Sequence, residues 1–188
     1  MSDSTPRDPE KITDPAKEEY DRGCQFIENH DLAQAANCFH NALLDYKERQ
    51  DERGIANASD KLADICLERE EHAKALPHLE RALEICERAN DDLSATALKK
   101  KLARAYDGIG EYGKALELYG DLLETYRTFR DPGSAVRTLE SMSKTYLAMD
   151  DRDKAADSLL TAAAIHRSFK HSRHAEDFEN RASAIRKA

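Results

Sequence analysis

Four alanines, Ala35, Ala75, Ala115 and Ala155, stand forty residues apart with no insertion between them, and so strict a recurrence constrains the fold more than any other feature of the chain. The pattern around them repeats as well. In Thr96–Ala135, Leu98, Leu102, Tyr106 and Ile109 step at helical spacing, and Ala115, Tyr119, Leu122, Tyr126 and Phe129 do so again. Gly108 to Glu111 separates the two stripes, as a tight helix–helix turn requires. Each unit therefore reads as a hairpin of two amphipathic helices. Gly23, Ala63, Ala103 and Ser143 supply small residues on the first helix, where two axes must come within about 8–10 Å. Phe39, Leu79, Tyr119 and Leu159 fill the space beside them. Leu43, Leu83 and Leu123 are left over within each hairpin and need a neighbouring one, so the units must stack.

The expected fold class is all-α: a right-handed superhelical solenoid of four helical hairpins over residues 15–171, divided 15–55, 56–95, 96–135 and 136–171. A capping helix is expected at 172–188, with Ala175, Phe178 and Ala182 on one side and charge on the other. Residues 1–14 are polar and are expected to form a disordered tail. Asp14-Pro15 and Asp131-Pro132 pair a capping carboxylate with a proline whose missing N–H costs nothing at a helix start; Asp51 and Asp91 occupy the same phase. Two local conflicts stand out. Pro77 lies inside a helix, where it should bend the chain, and Gly113 and Gly120 each weaken theirs by about 1 kcal/mol relative to alanine.

Composition excludes several classes. A net charge of −8 disfavours general binding to nucleic acid or anionic membranes, which select basic faces. No stretch reaches the roughly 18 apolar residues of a membrane span, and the N-terminus lacks the apolar run of a signal peptide, so a cytoplasmic location is expected. Cys24, Cys38, Cys66 and Cys86 have neither CxxC nor zinc-ligand spacing and read as buried reduced thiols, Cys66 in a slot that other repeats fill with aromatics. His171 and His174, with Asp177 nearby, read as surface residues rather than a metal half-site. No phosphate loop, HExxH or GxSxG is present, so neither catalysis, a cofactor nor a metal is expected.

The small–x2–aromatic pattern followed by Ala–x3–aromatic or Leu–x2–Ala resembles the tetratricopeptide repeat. It reads Gly23, Phe26, Ala35, Phe39, Ala42 in the first unit and Ala63, Cys66, Ala75, Leu79, Ala82 in the second. The third gives Ala103, Tyr106, Ala115, Tyr119, Leu122, and the fourth Ser143, Tyr146, Ala155, Leu159, Ala162. The forty-residue period is similar to the branch found in Pins-type adaptors and kinesin light chains. Those relatives often place asparagine where Lys61, Lys101 and Ser141 stand here, and the residues of a carboxylate-clamping subgroup are replaced by Tyr20 and Cys24. The resemblance implies a concave wall built from the first helix of each hairpin and a non-enzymatic protein- or peptide-binding role.

On that wall the expected partner-binding residues are Tyr20, Asp60, Asp64, Lys100, Lys101, Arg104, Arg137 and Lys144. Asp60, Asp64 and Glu68 form an acidic segment that gives way to a strip of five cations. Asp107 and Glu140 offset the strip in part, and a Glu140–Lys144 pair at i,i+4 spacing is the ordinary surface alternative. The expected partner is another protein or peptide with an acidic stretch. A self-associating structural subunit is the alternative, and nucleic-acid binding through Lys99-Lys100-Lys101 ranks third.

Overall fold

The computed structural model describes residues 14–187, so the expected tail, apart from Asp14, lies outside the described residues. They form α1 (Pro15–Glu28), α2 (Leu32–Glu48), α3 (Glu52–Glu68), α4 (His72–Arg88), α5 (Asp92–Gly108), α6 (Tyr112–Thr128), α7 (Pro132–Ala148), α8 (Arg152–Ser168) and α9 (Ser172–Lys187). Each helix packs on the one before and the one after. The result is an all-helical solenoid.

Every helix–helix connection is the same short device. In the first, the His30 N–H donates to the Ile27 carbonyl at 3.0 Å and the Asp31 N–H to that of Phe26 at 2.9 Å. This double bond closes the helix around one left-handed residue. Glycine fills that position only at Gly110 (φ 80°); His30, Gln50, Glu70, Asn90, Arg130, Asp150 and Lys170 hold it at φ 54° to 60°. The sequence signal of a glycine turn was thus visible once, although the turn occurs throughout.

The residue after the left-handed one starts the next helix, and there Asp is the usual choice. Asp31, Asp51, Asp91, Asp131 and Asp151 each accept a hydrogen bond from the N–H three residues on, while Asp14 accepts from Ala16. The Ser94 N–H holds the Asp91 carboxyl below its ordinary value, as the hydrogen bond from Ser134 does for Asp131. Glu71 and Glu111 make no such bond and instead pair with Lys74 at 3.1 Å and Lys114 at 3.7 Å. Their extra methylene carries the carboxylate past the N-terminal amides. Glu111→Asp is expected to stabilise the fold by about 0.5–1 kcal/mol. An unshifted denaturation midpoint would show that the Lys114 pair already supplies as much.

The core runs between the odd and even helices. Ala35, Ala75, Ala115 and Ala155 are fully enclosed, as are Ala63, Ala103, Phe39 and Leu79. Leu43 is buried with Leu62 and Ile65 of the next hairpin, and Leu83 and Leu123 also pack across a repeat boundary. Two sequence readings need correction. Ile109 and Phe129 are 39% and 65% exposed, because each follows the last residue of its helix, where the chain turns away from the core. Cys24 and Cys66 are only half-buried. Pro77 lies on the exposed side of α4, which continues as one helix on either side of it.

Candidate functional site

The odd helices lie side by side, and their polar residues meet in rungs. Lys101 on α5 reaches back to α3, donating to Asp60 Oδ1 at 2.6 Å and lying 2.7 Å from Asp64 Oδ1. Burial opposes the ammonium's charge, but the hydrogen bonds it donates to both carboxylates outweigh that and hold its pKa above the ordinary lysine value. Arg181 on α9 repeats the device, meeting Glu140 on α7 at 3.0 Å. Both rungs join residues 41 apart in sequence.

These rungs change the reading of the expected site. Asp60, Asp64 and Lys101 are adjacent charges on one wall in the sequence, yet the lysine pairs with both carboxylates across α3 and α5. Glu140 takes Arg181 rather than Lys144, because the neighbouring helix brings a guanidinium to its oxygen. Tyr20 is half-buried, edge-on to Phe39 with ring centroids 5.2 Å apart, and burial first, then nearby acidic groups, pushes its hydroxyl up to about 12. Tyr20 packs more than it presents.

Between α5 and α7 the arrangement differs. A cleft of about 350 Å³ opens there, floored by Tyr119 and Tyr126 of α6 and walled by Lys100, Arg104, Ser134, Arg137 and Ser141. Arg137 donates to Ser134 Oγ at 2.8 Å, and no carboxylate among the described residues makes an ion pair with Lys100, Arg104 or Arg137. Lys144 is exposed two turns beyond Arg137 along α7. Asp107 lies at the far end but is engaged: it accepts from Tyr119 Oη at 2.6 Å and from Thr145 Oγ1 at 2.8 Å. Burial and that bond raise the Tyr119 pKa above its ordinary value. The tie of α5, α6 and α7 through Asp107 escaped the sequence reading. Its signal was present, since Asp107 occupies the phase of Ile27, Leu67 and Leu147.

Elsewhere, His171 and His174 are exposed and gather around His166, which stacks on Phe178. No group of three metal-ligating side chains is set to hold an ion among the described residues. None of the described helices is long and apolar enough to cross a membrane.

Residues 54–128 match the tetratricopeptide repeat family profile. No curated protein matches the chain significantly. Among solved structures, the chain is similar to the nearly identical TPR-like repeats of a kinesin light chain from Podosopora anserina: 15% identity, 93% of this chain and 97% of that one, TM-score 0.67. It is similar to BtubC from P. vanneervenii at 18% identity, over 91% of this chain and 79% of that one, TM-score 0.60. A Rap protein complexed with Competence and Sporulation Factor aligns at 16% identity, over 91% of this chain and 54% of that one, TM-score 0.61. At these identities the likeness is one of fold.

Proposed function

We propose that this solenoid of tetratricopeptide-type hairpins is a non-enzymatic scaffold that holds an acidic segment of a partner protein against the odd helices. Repeats of this type generally mediate protein–protein interaction. The observation that carries the finer reading is the α5–α7 cleft, where Lys100, Arg104 and Arg137 line one cavity without a carboxylate of their own. A partner's carboxylates would meet these three exposed cations with no ion pair to displace. A Rap protein of the same fold is complexed with Competence and Sporulation Factor, which fits a face built to hold a ligand. The unpaired thiols of Cys24, Cys38, Cys66 and Cys86 suit work in the reducing cytoplasm.

Lys100→Glu with Arg104→Glu is expected to weaken capture of the partner about tenfold or more and to flatten its salt dependence. The helical circular dichroism should not change, since neither residue holds an ion pair. Glu117→Lys, exposed on α6, is the control. Binding lost with the control and kept with the cleft variant would move the site to the even helices and end this reading.

A second reading has its own observation. Leu93, in the first turn of α5, and Phe129 and Phe169, at the ends of α6 and α8, are 84%, 65% and 54% exposed at successive repeat boundaries. Exposed apolar side chains recurring at repeat boundaries suit self-association as a structural subunit, and a light-scattering mass independent of concentration would dismiss it. For nucleic acid the support shrinks, because Lys99 pairs with Glu87 at 3.0 Å and Lys101 with Asp60, leaving Lys100 alone of the lysine run.

A further inference from the structure

Two of the four repeat junctions carry an ion-pair rung, and two, the first and the third, do not among the described residues. Where α3 meets α5, Lys101 pairs with Asp60; where α7 meets α9, Arg181 pairs with Glu140. Where α1 meets α3 the corresponding positions are Tyr20, already packed on Phe39, and Lys61, so no ion pair forms there either. At the junction of α5 and α7 the two corresponding positions are Lys100 and Ser141, which face one cleft and cannot form an ion pair. Lys100 stands where the other rungs place their carboxylate, so a rung here would need its carboxylate on the α7 side.

The same junction is the thinnest in packing. Of the neighbouring helix pairs, α6 and α7 touch least. The Thr145–Asp107 hydrogen bond crosses it, Ser141 also meets the Tyr119 hydroxyl, and no ion pair joins the third hairpin to the fourth among the described residues. Gly113 and Gly120 lie on α6 with open space where a side chain would stand, so that helix also lacks the stiffness alanine would give it.

We infer that a carboxylate from the bound partner completes this rung. It would bridge Lys100 and Arg104 on α5 to Arg137 on α7 and close the third hairpin onto the fourth. This rests on the acidic-partner reading above and adds a mechanical consequence to it. The partner is then selected by its negative side chain, and its binding stiffens the array at its softest seam. By linkage, whatever prefers the closed junction tightens it, and a junction already closed by other means leaves the partner no rung to complete.

Ser141→Glu supplies the complement from within, at the spacing used by the two existing rungs. In the full chain it is expected to raise the melting temperature by about 2–4 °C, the shift that roughly 1 kcal/mol gives a chain of this size. The probe is a hexaglutamate peptide at low ionic strength. It should raise the melting temperature of the unsubstituted protein, and Ser141→Glu should remove that rise and weaken the peptide about tenfold. Charge repulsion alone would weaken the peptide without stabilising the free protein, so the melt of the free variant separates the two explanations. If the peptide binds the unsubstituted protein and the variant alike, or the free variant melts no higher, the missing-rung inference fails while the acidic-partner reading stands. If the peptide binds neither, and Lys100→Glu with Arg104→Glu leaves partner capture intact, both fail.

Discussion

Removing residues 172–188 is expected to lower the melting temperature by about 10 °C or more and to turn the protein into a self-associating species. Phe178, Ala175 and Ala182 of α9 are buried against Val136, Leu139, Ala156, Leu159, Ala162 and Ala163. Losing a buried phenylalanine alone typically costs about 3–5 kcal/mol, and in a chain of this length each kcal/mol moves the melt by roughly 2–4 °C. The ion pairs lost with it, Arg167–Glu179, Arg181–Glu140 and Arg186–Asp157, are largely exposed and screened by water, so they count for little beside the lost ring. The larger consequence is the bare apolar face of α8, which water would otherwise meet. Calorimetry with light scattering checks both halves. A truncated chain that melts unchanged as a monodisperse monomer would mean that α8 needs no cover. Phe178→Ala in the full chain should reproduce the lost stability without the association.

Phe39→Ala is expected to cost about 3–5 kcal/mol, the largest single-residue effect here. Phe39 is fully enclosed, its ring meeting the edge of Tyr20 and lying against the backbone of Gly23. A Cβ added at Gly23 would stand 2.7 Å from the ring, so the glycine is the hole into which the ring fits. The cavity left by alanine cannot close, because Ala35 and Ala42 offer no side chain to fill it. Urea denaturation is the measurement. A loss under 1 kcal/mol would mean that the first hairpin relaxes around the gap, and Gly23→Ala should then be equally mild.

How much of this was legible differs from residue to residue. The hairpins, their forty-residue period and the enclosed alanines follow from local pattern. A small residue at fixed phase on two amphipathic stripes leaves the helices one close approach, and Asp at helix starts satisfies amides that the chain itself exposes. The same logic placed Leu43, Leu83 and Leu123 at the boundaries between hairpins. It failed at Ile109 and Phe129, because periodicity continues past the residue where hydrogen bonding ends the helix. It also treated the turn as a glycine device, when the Schellman bonds hold seven other residues in the same conformation.

The charges on the odd helices were legible only as an inventory. Which of them meet depends on the offset between neighbouring hairpins, and that offset is fixed by side chains packing across repeat boundaries. Stacking puts Lys101 between Asp60 and Asp64, gives Glu140 to Arg181, and leaves Lys100, Arg104 and Arg137 around one cleft. A Coulomb interaction between two half-exposed groups changes severalfold over a few ångströms, whereas sequence spacing says nothing about distance between residues some forty positions apart. Helical periodicity determined what each hairpin is; the register of one hairpin on the next decided which charges are settled within the fold and which are left for a partner.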